Sequence, residues 1–445
     1  MIQKYFDIGV KILRWGIAAV IVIAPFYAPM VIWLSTDVHH LDLLRAWKEI
    51  ALVFLSFIIL FLFLDYQRVF KDLPKRPLLI LAGLYSLLVI GYGVWDLLGK
   101  SITSDAVAYG LLTDLRPVAV LTVAVVTFTI SQHKRFGEFP WQKIVIIPAF
   151  VVIGFGLLQM TVLPKDFLRH VGYSQSTVVP YQTVDNQLDI VRVQSTARGP
   201  NPLGAYLVVI IVLFTELFIE SKGRRRLYWG VAIGCSLVVL YGTYSRSAEA
   251  GLLLAWLALA LIHYRQFLRQ NLAPLAGVVL LTASLLFIFR NTYLVQNDLF
   301  HTSNRSRSPV SSNAERTQAI KSGLEDVWHD PLGRGVGTAG PASLRNRQAP
   351  PRIAENYYVQ IGQEVGWLGV ILFVAINIRL VQLLWRDRQN MLPRVLLASL
   401  VGLTFVNMVS HAWTDDTLAY VWWGLAGIAV APIIVRESQR KAQKA

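Results

Sequence analysis

The sequence predicts an all-α polytopic membrane protein of about twelve transmembrane helices, and three observations predict it. Apolar blocks long enough to cross a bilayer recur along the whole 445-residue chain, which is 55% hydrophobic and only 16% charged. Lysine and arginine concentrate in every second connecting segment, as cytoplasmic loops do. Two connections, 164–201 and 290–355, are far longer than the rest and both fall on the other side.

In chain order the candidate spans are 15–34, 49–64, 78–95, 117–131, 143–163, 202–220, 228–242, 248–263, 272–289, 357–378, 394–410 and 418–435. The fourth and seventh are short, so the count carries a margin of two. The first block lacks a small-residue cleavage site and reads as a retained helix. The whole chain, 1–445, forms one integral membrane domain on this reading.

The basic segments fix the orientation. One set comprises the N-terminus with Lys4, Lys11 and Arg14, then 65–77, 132–143, "SKGRRRL" at 221–227, 264–271, 379–394 and the C-terminal "RESQRKAQKA". It holds more than half of the 42 basic residues and few acids, so both termini are expected in the cytoplasm. The net charge of +15 is therefore a topology signal, and nucleic acid is not an expected partner. The single cysteine, Cys235, excludes a disulfide framework, and the eight histidines show no zinc spacing. No metal and no cofactor are expected.

The 290–355 loop is expected to be a small external subdomain. Within it "SSNAERTQAIKSGLEDVW" reads as an amphipathic helix. Ser312 and Glu315 have capping-box spacing, and Ala319, Ile320, Leu324, Val327 and Trp328 form an apolar stripe. "PLGRGVGTAGP" follows. Its Gly335, Gly337 and Gly340 match a formal GxGxxG, but no strand or βαβ unit precedes them, so tight turns are the expected role.

The external starts of the inward-running spans gather charge: "TDLRPVAV", "ARGPNPLG", "YSRSAEAG" and "AENYYVQ". Arg116, Arg198 and Arg246 precede or open helices whose N-termini already carry partial positive charge. Pro117 and Pro202 suit the first helical position, with Asn201 and Ser247 as caps. Three arginines there make sense around an anion, because free helix N–H groups and guanidinium forks both bind phosphate oxygens. The competing reading has each arginine snorkel to headgroups or pair with acids such as Asp114 or Glu249. Glu355 opens the tenth span on the same lip. An acid is favoured at a helix start without any chemistry, yet beside an anion site it is also a proton acceptor for an incoming hydroxyl. Gly362 and Gly366 read as helix-packing glycines.

Four segments in order resemble the O-antigen ligase/O-antigen polymerase superfamily of bacterial envelope glycosyltransferases. "RGPNPLGAYL" (198–207) is similar to its arginine-glycine-asparagine-proline segment, and "GTYSRSAEAG" (242–251) to its serine-arginine-serine motif. "HDPLGRGVGT" (329–338) resembles its glycine turn. "ENYYVQIGQEVGWLGV" (355–370) looks like its histidine-asparagine signature. The resemblance implies a GT-C-like fold in the plasma membrane and a glycan donor carried on undecaprenyl pyrophosphate at the external face. It also implies metal-independent transfer to a glycan or glycolipid acceptor. Arg198 and Arg246 match the family's arginines; Arg116 is added by topology. Asn201, Asn356 and Tyr357 are supporting positions. One departure stands out: Glu355 occupies the place where ligases have histidine, which puts transfer to lipid A-core in doubt. Some polymerase-like members are similar to this chain there. If Glu355 is not the base, His329 and His301 are next in line.

Rival readings are a polytopic transporter or flippase of lipid-linked glycans, and a peptidoglycan-type polymerase. A transporter places ionisable residues near mid-membrane, where the predicted spans hold little besides Glu364. The external acid motif of the peptidoglycan class is absent.

Overall fold

The computed structural model describes residues 2–37, 44–70, 73, 76–99, 102–132, 136–184, 187–264 and 312–443. Long apolar stretches form helices because, in lipid, only intrahelical bonds satisfy every backbone N–H and C=O. The helices are α1 (Ile2–Ile23), α2 (Tyr27–Asp37), α3 (Trp47–Asp65), α4 (Pro77–Gly99), α5 (Ser104–Ser131) and α6 (Trp141–Thr161), then α7 (Pro200–Glu220), α8 (Arg224–Gly242) and α9 (Arg246–His263). After them come α10 (Ser312–His329), α11 (Tyr357–Arg386), α12 (Met391–Met408) and α13 (Asp416–Ala442). The 164–201 connection adds a small antiparallel hairpin, β1 (Gln182–Val184) with β2 (Gln187–Arg192).

Ten helical stretches among the described residues are long and apolar enough to cross a membrane, with α1 and α2 counted as one span, Lys4–Ser35. Of the twelve spans expected, 272–289 lies outside the described residues. The seventh corresponds to α8, whose first turn is Arg224, Arg225 and Arg226 and which is not among the ten.

α13 is the axis of the bundle. It lies along α5 and buries Tyr420 completely, with Trp422 and Trp423 packed against Trp413. Lipid tails are as apolar as leucine, so helices here associate by close packing rather than by escape from water. A Cβ on Gly402 of α12 would stand 2.2 Å from the Gly251 carbonyl of α9, and one on Gly427 would stand 2.4 Å from Cβ of Ala124 on α5. α3 and α4 turn most of their residues outward, Phe54, Phe57, Phe61 and Leu87 among them, as helices facing lipid do.

α11 is one helix only in outline. Val365 and Gly366 leave helical geometry, with φ +70 at Gly366. The glycine turn is threaded into that break: Arg334 and Gly335 donate their N–H groups to the carbonyls of Gln363 and Glu364, and Trp367 N–H reaches Pro331 O. Irregular backbone at membrane depth survives only where protein satisfies it, as here. Gly366 is therefore a break and not the packing glycine expected, because a side chain there would meet the Pro331 carbonyl at 2.5 Å. Gly362 does pack, against Val327 of α10.

α10 forms as the amphipathic pattern implies, but its stripe is divided. Val327 is buried with Ala354 and Val359, whereas Leu324 and Trp328 stay exposed. Exposed Leu332 is beside them, tied to α4 through Tyr92 Oη donating to its carbonyl at 2.6 Å. The side chains of Ser312 and Glu315, the expected capping box, lie outside the described residues.

Candidate functional site at one end of the bundle

Among the described residues, the only non-glycine positions with left-handed φ are Ser195 (48°), Tyr244 (51°) and Glu355 (51°). Each such position costs about 1–2 kcal/mol for an L-residue. Strain of this kind collects at functional sites. These three lie three residues before Arg198, two before Arg246, and at Glu355 itself.

The surroundings of each hold it in place. Ser195 donates N–H to Gln159 Oε1 at 2.7 Å and its hydroxyl to Val152 O, while Thr196 Oγ1 donates to Pro25 O. Arg192 of β2 joins two of the strained segments. Its guanidinium donates to Thr243 O at 2.8 Å and to Asn201 Oδ1 at 2.6 Å. Gly204 lets the starts of α7 and α9 meet, since a Cβ there would be 2.8 Å from that of Ala248. Asn201 thus supports the site through Arg192 and not as a cap: α7 opens at Pro200, with Gly199 in the capping position. Likewise α9 is capped at Ser245, and Ser247 is already helical.

A cavity of ≈450 Å³ opens beside Arg198. Its lining mixes charged residues, Arg45, Arg116, Arg198 and Arg345 with Glu49, Asp105 and Asp416, and apolar ones such as Val31, Ile32, Leu112 and Leu344. Every lining residue belongs to the end of the bundle where α3, α5, α7 and α13 begin. A second cavity at the opposite end, lined by Gln132, Glu138, Asp387 and Arg436 among others, shares no residue with it.

Arg116 reaches this cavity, but not from a helix start. α5 begins at Ser104, so Arg116 and Pro117 stand in mid-helix. The guanidinium is 5% exposed and bonds Glu49 at 2.9 Å, Asp416 at 2.8 Å and Thr414 O at 2.7 Å. Lys48 completes the group, 3.7 Å from Asp416 and 3.4 Å above the Tyr27 ring. Arg198 is different in kind. It is 39% exposed and only 3.9 Å from Asp416, so an arriving anion can take it. Arg246 is half-buried at the start of α9 and does not line this cavity.

Glu355 does not line this cavity. Glu355 pairs with Arg316 of α10 at 3.7 Å. Asn356 caps α11, accepting from the N–H groups of Tyr358 (2.9 Å) and Val359 (3.0 Å), and its amide donates to Met408 O at 2.8 Å. Tyr357 is completely buried and its N–H bonds Ser410 O at 3.1 Å. The lip is thereby fastened to the connector between α12 and α13. That connector carries His411, whose imidazole feels the charges of Glu355, Arg198 and Arg316. His329 ends α10 on the exposed side, bonded to Glu325 O, and His301 lies outside the described residues.

The glycine turn wraps carboxylates of the chain itself. Gly337 and Ala339 N–H point at Glu364 Oε1 (2.9 and 3.2 Å), and Val336 N–H at Asp96 Oδ2 (2.8 Å). Buried Asp114 faces Glu364. Ionisable groups at membrane depth are thus several, where the sequence offered little besides Glu364. α5 begins earlier than its hydropathy suggested and includes Asp114 and Arg116.

Comparison with known proteins adds one finding. No curated protein matches the chain. Residues 231–374, from within α8 to within α11, match the family model described as O-antigen ligase. The matched stretch contains Arg246, the glycine turn, Glu355 and Glu364. Together with the multi-span helical architecture, it supports a membrane-associated glycan-transfer activity of the ligase type.

Proposed function

We propose that the protein is a glycosyltransferase that moves a glycan from undecaprenyl pyrophosphate to an acceptor hydroxyl at the external face of the bacterial plasma membrane. One observation carries this reading: an accessible arginine, Arg198, lies in a cavity lined by both charged and apolar residues. A lipid pyrophosphate likewise joins a charged group to an apolar chain. Both termini are then cytoplasmic, and the long connections 164–201 and 290–355 are external.

In this reading Arg198 and Arg246 bind the pyrophosphate by charged hydrogen bonds and favour its departure. Arg116 lies one layer deeper. Its partners Glu49 and Asp416 neutralise it until an anion competes for the shared cluster. The Glu355 carboxylate takes the proton of the acceptor hydroxyl as its oxygen bonds the anomeric carbon, and the electron pair of the broken C–O bond leaves with the phosphate. Guanidiniums supply the positive charge, so the step is metal-independent. Asn201, Asn356 and Tyr357 hold these groups in position.

The test is turnover by the full-length protein in nanodiscs. The probe is an undecaprenyl-pyrophosphate oligosaccharide, with and without glycan and glycolipid acceptors. Release of undecaprenyl pyrophosphate is expected; lengthened lipid-linked chains mark a polymerase, and transfer to a different acceptor a ligase. The second reading is a transporter of lipid-linked glycans, favoured by Asp96, Asp114 and Glu364 inside spans. It gains the case if the donor crosses liposome membranes unconsumed.

A further inference from the structure

His411 sits halfway along the 409–415 connector, whose two ends touch the two halves of the site. At one end Met408 O and Ser410 O accept from Asn356 and Tyr357, next to Glu355. At the other end Thr414 O accepts from Arg116, and Asp416 pairs with Arg116 and Arg198. The connector backbone is fixed independently of the imidazole. Thr414 donates N–H and hydroxyl to His411 O, and Trp413 N–H bonds Asn407 Oδ1 at 2.9 Å. The ring makes no side-chain hydrogen bond to the described residues, and the residue is only half-buried. It is close enough to Glu355 for their charges to interact, without a direct ion pair.

We infer that Glu355 and His411 form a proton relay, in which the carboxylate takes the acceptor's proton and the imidazole receives it from the carboxylic acid. The inference rests on the glycan-transfer reading and deepens it. The physical reason is the weakness of a carboxylate base at neutral pH. A carboxylic acid passes its proton downhill to an imidazole, whose ordinary pKa is about 6.5 against about 4.3 for glutamate. Burial pushes the His411 imidazole down, Glu355 pulls it up, and Arg198 and Arg316 push it down again. The net direction is down, so the ring is neutral at pH 7. These three charges come from the Glu355 lip, the segment before α7, and α10.

The step balances. The acceptor oxygen bonds the anomeric carbon, and the C–O bond to pyrophosphate breaks with its electron pair on the phosphate beside Arg198. The hydroxyl proton goes to Glu355, then to His411. Glu355 returns to the carboxylate paired with Arg316, and the imidazolium gives its proton to external water before the next turnover.

The experiment compares pH profiles of kcat/KM for the parent, His411→Gln, His411→Ala and Glu355→Gln. It uses the full chain in nanodiscs with undecaprenyl-pyrophosphate oligosaccharide. The parent is expected to lose activity as pH falls through the imidazole range. His411→Gln should lower kcat about 10–100-fold with donor KM little changed, and lose that limb. Added imidazole should restore part of the turnover of His411→Ala, which a structural role would not allow. Parental kcat and an unchanged acid limb in His411→Gln, with the parent transferring glycan normally, overturn the relay and leave the reading intact. A folded parent that consumes no donor overturns the reading and the relay together. Should His411→Gln fail to fold, His411→Asn and the imidazole rescue decide.

Discussion

Replacing Glu355 by glutamine separates chemistry from stability because the two effects differ in size. The side chain is 33% exposed and its ion partner, Arg316, stands at 3.7 Å, itself 30% exposed. A pair this open contributes at most about 1 kcal/mol after screening. Glutamine keeps the shape and most hydrogen bonding, so the melting temperature in detergent should move by no more than a few degrees. A positioned base contributes about 10²–10⁴-fold, which corresponds to about 2.7–5.4 kcal/mol of barrier. Turnover of Glu355→Gln should therefore collapse in a protein that still folds and still binds donor. Glu355→Gly adds a control, since glycine relieves the left-handed φ of 51°; it should be no less stable than the glutamine variant and equally inactive. Glu355→His restores the residue found in ligases and should retain measurable transfer. The assay is release of undecaprenyl pyrophosphate from the oligosaccharide donor, read beside thermal unfolding. A glutamine variant within about threefold of the parent would reduce Glu355 to an acid at a helix start.

Other perturbations probe the rest of the site. Arg198→Ala should cost at least about tenfold in turnover with little loss of stability, and lysine should rescue it incompletely because it lacks the bidentate fork. Arg116→Ala should instead unfold the protein, because it leaves Asp416 and Glu49 buried without a main partner, at about 3–5 kcal/mol; a variant melting like the parent would refute the cluster's structural role. Burial pushes Asp415, on the α12–α13 connector, up to about 6, with Asp416 adding to the effect and Arg198 opposing it. A raised carboxyl contributes stability below its unfolded pKa of about 3.9, and that contribution is lost as pH rises through 6. Asp415→Asn should therefore match the parent near pH 4 and exceed it at pH 7–8, by up to about 3 kcal/mol; equal melting curves at both pH values would contradict this. Reporters fused after Arg226 and after Gln348 should report opposite compartments, and agreement between them would overturn the topology.

Much of the fold was legible because hydropathy and span length are local properties. The stretch 49–64 became α3 (Trp47–Asp65), 143–163 became α6 (Trp141–Thr161), and 394–410 became α12 (Met391–Met408). The fourth span was mistaken at its start because "SDAVAYGLLTDLR" mixes polar and apolar residues, so the hydropathy begins at Pro117 while the helix begins at Ser104. One signal was available: Asp105 in the first turn after Thr103 is an ordinary helix start. In the site, Arg198 could be read from its glycine and proline neighbours. Arg192 and His411 could not, because each acts across the fold: Arg192 on the turn at Thr243, His411 on a lip more than fifty residues earlier in the chain. The left-handed residues were hidden as well. Serine, tyrosine and glutamate carry no sequence mark of positive φ, unlike the glycines of the turn.

The placement of the strain bears on how a glutamate could serve in the proposed site. Ser195, Tyr244 and Glu355 are held in unfavourable backbone by contacts that converge from β2, α6, α10 and the α12–α13 connector. Arg192 fixes the two arginine segments relative to one another, and Asn356 with Tyr357 fixes the acid to the connector that ends at Asp416. The cations and the acid are therefore parts of one rigid frame, and chemistry there depends on position before it depends on residue type. A frame of that kind lets the proton acceptor change identity if another base is near enough to share the proton. In the proposed relay His411, carried on the segment that joins both halves, supplies the imidazole from a different element. The glycine turn packs on the first turn of α5. Gly337 has φ +88, and a Cβ there would stand 2.5 Å from the Ala106 carbonyl of α5. An alanine at that position would push the turn away from Glu364 and α5 together, and should lower the melting temperature.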